Sequence, residues 1–132
     1  MEHPYGRHER GLKTLQHLSG EAEPTVVTSL ADIAPDLGRF IAEFAYGDVL
    51  TRPELDLRDR ELVTIGALAA LGNAAPQLRF HINGALNAGC TRAEVIEALI
   101  QIAVYAGFPA AINAVEAARE VFAARDAADS PD

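Results

Sequence analysis

Apolar residues recur every three to four positions along most of the chain, which is the spacing of one face of an α-helix. The period of two that is typical of strands is hard to find. The predicted helices cover residues 11–18, 26–33, 35–47, 57–71 and 76–89, one that starts at Thr91 and stops before Gly107, and a last one beyond Pro109. The pattern therefore predicts an all-α fold.

Residues with known helix-end preferences mark several of these boundaries. Thr91 and Glu94 have the spacing of a capping box, in which each side chain binds the backbone N–H of the other residue. Asp56 is a suitable N-cap for the helix over residues 57–71, and Gly72 follows its end. These signals make the helices after residue 56 the best defined in the sequence.

The chain of 132 residues fits one domain with an arm at one end and a tail at the other. Residues 1–24 are polar and contain Gly20 and Pro24, so we expect an N-terminal arm. Residues 25–124 form the expected helical domain. Residues 125–132 are rich in Ala and Asp, and we expect a flexible tail.

Two predicted helices are apolar nearly all round, over residues 62–71 and 95–104. Such a helix must be covered on more than one side, which is difficult for two helices at once in one small domain. We therefore expect a homo-oligomer whose subunits share helical surface.

The amino-acid composition limits the classes of binding partner and the cellular compartment that we expect. The formal net charge is −8, with 11 basic and 19 acidic residues, which disfavours nucleic acid and anionic membranes as partners. The single cysteine, Cys90, excludes an internal disulfide and a CxxC redox pair. No secretory signal is visible and the apolar stretches are too short to span a bilayer, so we expect a cytoplasmic protein.

Glu61 is the first candidate for chemistry. It shares one helix face with Leu57, Ile65 and Leu68, so its carboxylate would be partly desolvated and would need a compensating partner. A structural role is equally consistent with this position, as a Glu paired with an Arg across a helix interface.

His81 is the second candidate, because it shares a helix face with Leu78, Ile82 and Ala85. An imidazole is the side chain that most readily gives or takes a proton near neutral pH. The structural alternative is a core histidine bonded to a backbone carbonyl.

Three further residues are candidates for substrate binding. Arg58 and Arg79 flank the two candidate helices, and arginine binds a carboxylate through two parallel hydrogen bonds. Arg79 lies about 200° around the helix from His81, so the two face different directions within one subunit. Tyr46 offers a hydroxyl at the end of an apolar helix.

Seven segments together resemble the carboxymuconolactone decarboxylase family, over about residues 42–122. The segments are EFAYGD at 43–48, Thr-Arg-Pro at 51–53, DLRDRELVTI at 56–65, QLRFH at 77–81, GALNAG at 84–89, TRAEV at 91–95 and AVYAGFPA at 103–110. Their order and spacing carry the resemblance, since no single segment is decisive.

The same superfamily contains the alkylhydroperoxidase D-like disulfide reductases, which carry a CxxC before the histidine. In that pattern a glycine follows the histidine by eight residues, and His81 and Gly89 keep this spacing. Ala74 and Gln77 occupy the two cysteine positions. Thiol peroxidase chemistry is therefore not expected, because the thiolate is its nucleophile.

The resemblance implies an alkylhydroperoxidase D-like helical subunit in a ring-like oligomer, a trimer or a hexamer, with no metal and no organic cofactor. It implies conversion of 4-carboxymuconolactone to an enol-lactone and CO2. By position, Glu61 and His81 match the acid/base residues of the superfamily. Our hypothesis is that His81 protonates carbon, Glu61 orients it, and Arg58 or Arg79 binds a carboxylate of the substrate.

Two alternatives remain open at this point. The same pocket could serve an isomerase, cyclase or hydrolase of another oxo-acid, because fold does not fix function. The chain could also be a non-catalytic, oligomeric binder of small molecules, with Glu61 and His81 as a buried structural pair.

The oligomer prediction has a direct test. Because the apolar helices need covering, we expect analytical ultracentrifugation at micromolar concentration to show an oligomer, and the resemblance implies a trimer or a hexamer. A single species with the mass of one 14.1 kDa chain would contradict it.

Overall fold

The computed structural model describes residues 6–130, and over this range the chain is helical without a strand. Its elements are α1 (Arg7–Ser19), α2 (Thr25–Thr28), α3 (Pro35–Phe40), a π-helix (Ile41–Val49), α4 (Leu57–Leu71), α5 (Ala75–Asn87), α6 (Arg92–Ala106) and α7 (Phe108–Asp129). The all-α prediction is confirmed.

The described residues form two compact units, one ending at Leu57 and one beginning at Arg58. Helix α1 lies within the predicted arm and belongs to the first unit. Helix α7 continues to Asp129, into the predicted tail. The domain limits at residues 24 and 125 stay predictions.

In the first unit, α1 crosses the π-helix at two glycines. A Cβ on Gly11 would lie 1.7 Å from the backbone oxygen of Ala42, and a Cβ on Gly47 would lie 2.2 Å from the backbone oxygen of Arg7. Leu15 and Leu18 of α1 are fully buried. The two helices approach so closely only because both crossing positions lack a side chain.

The π-helix was not predicted from the sequence. The apolar spacing after Pro35 predicts one continuous α-helix, whereas the backbone N–H of Leu50 reaches back five residues to the carbonyl of Ala45 at 2.9 Å. That widened register is rare. Here it occurs in the segment whose backbone α1 approaches, so it depends on a tertiary contact that helical periodicity does not encode.

The second unit has an aliphatic core rich in alanine. The core residues come from all four helices and from the turn before α6: Ile65, Ala69, Leu78, Ile82, Ala85, Cys90, Val95, Leu99, Ala114, Ala117, Ala118 and Val121. Small side chains let the helices pack closely. This core fixes the faces of α4 and α5 that carry the candidate residues.

Some helix ends in the second unit agree with the sequence analysis, whereas α5 ends at Asn87, two residues before the predicted end, and α7 begins at Phe108, before Pro109. Helix α4 has the predicted bounds, and Gly72 after it has a φ of 77°. The capping box at the start of α6 is formed: the Thr91 side chain accepts from the N–H of Glu94, and the Glu94 side chain accepts from the N–H of Thr91. Local side-chain chemistry alone is enough to place these boundaries.

The end of α7 is held by polar contacts to α5 and α6. Arg92 of α6 pairs with Asp126 at 2.6 Å, and Arg125 donates to the side-chain oxygens of Asn83 and Asn87 on α5. The hydrogen bond from Arg92 holds the pKa of the Asp126 carboxyl below its usual value.

Across residues 6–130, no helix is both long enough and apolar enough to cross a membrane.

The glycine crossing gives a stability prediction. Because backbone atoms occupy the space of its Cβ, Gly47→Ala should lower the free energy of unfolding by about 1–3 kcal/mol or more, measured by urea denaturation. Gly66→Ala on α4 is the control. Its Cβ would meet a flexible side-chain carbon of Ile102 at 3.5 Å, so stability should be unchanged or higher by up to about 1 kcal/mol. Equal stability of Gly47→Ala and the unmodified chain would contradict the crossing.

Candidate active site

Glu61 lies in the second turn of α4 and is fully buried, with a side-chain exposure of 0%. It shares the inward face of α4 with Ile65 and Ala69, which are also buried. The apolar stripe seen in the sequence therefore places a carboxylate inside the second unit. An ionised group there requires a partner, since burying an unpaired charge is costly.

His81 of α5 is that partner. Its side chain is 13% exposed, whereas its neighbour Ile82 is fully buried. The imidazole therefore lies at the edge of the core, with one side towards Glu61 and a small part of its surface accessible. The sequence alternative of a Glu61–Arg pair does not describe this contact.

The two side chains are joined by a hydrogen bond between His81 Nδ1 and Glu61 Oε2, at 2.8 Å. An ionised carboxylate can only accept, so with Glu61 ionised Nδ1 carries the hydrogen and donates it. This fixes which ring nitrogen holds the proton in the neutral imidazole. The other nitrogen, Nε2, then carries no hydrogen in the neutral ring.

The second carboxylate oxygen, Glu61 Oε1, is buried and has no hydrogen-bond partner among residues 6–130. A buried polar atom without a partner costs about 1–3 kcal/mol, more when charged. Such atoms are rare in folded proteins and each calls for a specific explanation. His81 satisfies one oxygen of the carboxylate, and burial of the other oxygen without a partner lowers the stability of the fold.

Cys90 lies near the same carboxylate, in the turn between α5 and α6. It is buried, and its thiol donates to the backbone oxygen of Arg58 at 3.5 Å. Burial raises the pKa of the Cys90 thiol, Arg58 offsets part of this, and the charges of Glu61 and Asp59 raise it further. The group therefore stays a thiol at neutral pH and keeps its hydrogen for the contact.

The candidate arginines are already engaged with acidic side chains. Arg58 pairs with Asp59 at 2.9 Å and with Glu94 of α6. Arg79 points to Glu120 of α7 at 3.4 Å, away from the α4 partner of His81, as its position around α5 predicts. Both guanidinium groups are partly exposed.

Tyr46 lies in the first unit, on the π-helix, and is 6% exposed. Its predicted part in substrate binding stays a prediction. The contacts of Cys90 and Glu94 with Arg58 were missed by sequence reasoning. The capping box identified Glu94, but nothing in the pattern indicates that its second oxygen binds an arginine from another helix.

Three shallow grooves on the second unit are largely apolar. One of about 330 Å³ lies between α6 and α7, beside Ile100, Phe108 and Ile112. A second, of about 450 Å³, lies between α4 and α6 beside Val63 and Ile102. The third, of about 310 Å³, runs further along α6 and α7. Neither Glu61 nor His81 lines any of the three.

Within the described range, no three His, Cys, Asp or Glu residues lie together in an arrangement that could hold a metal ion. The expectation of chemistry without metal or cofactor stays a prediction.

Comparison with known proteins adds three relatives. The 4-carboxymuconolactone decarboxylase of Acinetobacter baylyi is 38% identical over 117 residues, which is 88% of this chain and 87% of the relative. A 15.0 kDa protein of Paracoccus denitrificans is 35% identical over 99 residues, 74% of each chain. The nitrosuccinic acid decarboxylase of Metarhizium robertsii is 42% identical over 76 residues, 57% of this chain and 52% of the relative.

The family comparison covers most of the second unit and part of the first. The sequence profile of the carboxymuconolactone decarboxylase family matches residues 35–120, which include both Glu61 and His81. This agrees with the resemblance drawn from the seven segments. The chain belongs to the carboxymuconolactone decarboxylase family.

Proposed function

We propose that this protein is a cofactor-independent decarboxylase of 4-carboxymuconolactone or a similar lactone acid, with His81 and Glu61 as its acid/base pair. The observation that carries the proposal is the 2.8 Å hydrogen bond between a partly accessible imidazole and a fully buried carboxylate with an unpartnered oxygen. Buried polar atoms without a hydrogen-bond partner are rare in folded proteins, and a catalytic role is one of the explanations for such an atom. The two decarboxylases among the relatives support the same reaction class.

The proposed substrate needs little from the protein to lose CO2. Its departing carboxylate is attached to a carbon that is vinylogous to the lactone carbonyl. When that C–C bond breaks, the electron pair moves into the carbonyl and gives a furan-like enolate. The protein has to position the acid, stabilise the developing negative charge and return one proton to carbon.

His81 is suited to return that proton. In its protonated form both ring nitrogens carry hydrogen: Nδ1–H donates to Glu61, and Nε2–H is transferred to the carbanionic carbon. The neutral ring that remains keeps its hydrogen on Nδ1, in the tautomer that the hydrogen bond to Glu61 favours. Uptake of one proton from water at Nε2 restores the starting state. The substrate thus loses one carboxylate as CO2 and gains one hydrogen at the carbon next to the lactone carbonyl, which gives the enol-lactone.

A cationic side chain is still needed for the substrate's carboxylates. Arg58 and Arg79 remain the proposed ligands, with Tyr46 as a proposed hydroxyl donor. Each arginine already pairs with protein carboxylates, so a substrate carboxylate would have to replace Glu120 at Arg79, or Asp59 and Glu94 at Arg58. Exchanging one partner at Arg79 disturbs less than exchanging two at Arg58.

Self-association belongs to the same proposal. The exposed apolar side chains of the second unit include Val63, Ile100, Val104, Phe108 and Ile112, each more than half exposed. Apolar area on this scale is typical of a surface that is covered in the assembled protein. We retain a trimer or hexamer, and we retain the exclusion of thiol peroxidase chemistry, because Ala74 and Gln77 replace the cysteines.

A turnover assay tests the function. The purified protein is mixed with 4-carboxymuconolactone, and CO2 release and loss of ultraviolet absorbance are followed. Nitrosuccinic acid serves as a second substrate, since it is the acid named for the Metarhizium relative. Release of CO2 supports the proposal. Thermal stabilisation by these acids without turnover would favour the binding alternative instead.

His81→Gln should lower kcat/KM by about 10²–10⁴-fold, the usual contribution of a positioned general acid. His17→Gln, the same change at an exposed position of α1, is the control and should be fully active. A folded His81→Gln protein with full turnover would remove the mechanism.

Glu61→Gln separates catalysis from a purely structural pair. The change removes a buried charge whose Oε1 is unpartnered, so we expect an unchanged or raised melting temperature together with at least about tenfold lower kcat. A pair with a purely structural role instead predicts a lower melting temperature together with an unchanged kcat. Calorimetry and steady-state kinetics on the same samples distinguish the catalytic from the structural role. Glu97→Gln, which removes one acidic charge on the exposed side of α6, is the matched control.

A further inference from the structure

We propose that Cys90 and Glu94 are positioning residues that hold Arg58 from two sides and thereby set the geometry between Glu61 and His81. Together these three residues, Arg58, Cys90 and Glu94, form what we term the buckle. The inference rests on the function proposed above, because it assigns the buckle a role in the activity of that pair.

The first half of the buckle is a main-chain contact. The buried Cys90 thiol donates to the backbone oxygen of Arg58 at 3.5 Å. Arg58 lies in the first turn of α4, and Glu61 is three residues later, on the neighbouring turn of the same side. Because a helix is stiff over one turn, a displacement of the Arg58 carbonyl is passed on to Glu61.

The second half is a side-chain contact. One carboxylate oxygen of Glu94 accepts from the backbone N–H of Thr91 at 2.9 Å, and the other pairs with Arg58. The capping box therefore fixes the Glu94 carboxylate before it holds the guanidinium. Arg58 and Glu94 side chains are 37% and 38% exposed, so the ion pair itself adds little stability. Its effect is on position.

The buckle connects the two helices that carry the candidate pair. Cys90 lies in the turn between α5 and α6, and Glu94 lies in the first turn of α6. Helix α5 carries His81. Arg58 belongs to α4, which carries Glu61. Residues at the connection from α5 to α6 thus contact Arg58 of α4 twice, once at its backbone carbonyl and once at its guanidinium group. A donor and acceptor that must stay within hydrogen-bond distance need this kind of support from outside the pair.

This arrangement also bears on Arg58. A guanidinium held by Asp59 and Glu94 already has its carboxylate partners, and releasing them would loosen the turn below Glu61. Of the two proposed carboxylate ligands, the buckle therefore assigns Arg58 to positioning. Arg79 faces Glu120 within its own subunit, so it would bind a substrate carboxylate at the site of another subunit.

Two variants test the buckle without touching the pair. Glu94→Gln keeps the capping interaction, because glutamine serves at this position of a capping box, and removes the charge that holds Arg58. Cys90→Ala removes the thiol donor, and Cys90→Ser restores a donor of similar size. Glu97→Gln, on the exposed side of α6, is the matched control for loss of one acidic charge.

We expect Glu94→Gln and Cys90→Ala to lower kcat by about tenfold with little change in KM, because a small misplacement of a catalytic group has effects of this order or larger. The nitrogen resonances of the His81 ring, recorded by long-range ¹H–¹⁵N NMR, should shift in both variants. Cys90→Ser should recover most of the activity, and Glu97→Gln should match the unmodified protein.

The NMR measurement needs no turnover, so the two proposals fail separately. If no acid is decarboxylated by any form of the protein, the proposed function fails, while shifted His81 resonances in Glu94→Gln still support the buckle. If Glu94→Gln and Cys90→Ala fold normally with unchanged kcat and unchanged His81 resonances, the buckle is overturned and the proposed function stands.

Discussion

The hydrogen bond between Glu61 and His81 is the interaction on which the site depends. It joins a fully buried carboxylate to an imidazole at the edge of the core, and it satisfies only one of the two carboxylate oxygens. Removing a charge from water costs several kcal/mol even after relaxation, and a single hydrogen bond returns part of that. The pair is therefore held in place by the surrounding fold, and its own stability does not explain it.

The second unit supplies that support through its core and its connections. Ile65 and Ile82 are fully buried on the same helices as the pair, so the faces of α4 and α5 cannot rotate without exposing them. Cys90 and Glu94, at the connection from α5 to α6, both contact Arg58 of α4. Helix packing sets which residues face each other, and the polar contacts at the helix start set the finer distance. The proton transfer that we propose for His81 needs both levels of control.

The sequence predicted the helices best where boundary chemistry is local. The capping box at Thr91 and Glu94 and the bounds of α4 agree with the structure, because these signals involve residues within one turn. The π-helix was missed, since it lies where Gly11 and Gly47 let two backbones meet. Periodicity describes one helix at a time and carries no information about such a crossing. The same applies to the second partner of Glu94, which comes from another helix.

What the sequence determined by itself was the identity of the pair: each residue stands alone as an ionisable group on an apolar stripe, and a stripe faces the core for reasons that hold in any helical fold. Only the tertiary structure decided that the two stripes face each other, that the carboxylate meets the imidazole and no arginine, and that one of its oxygens is left without a partner among the described residues. The physical reason is the distance along the chain over which each kind of information acts. Amphipathic spacing fixes the direction of a side chain about its own helix axis, whereas a 2.8 Å contact depends on how α4 and α5 pack across the core.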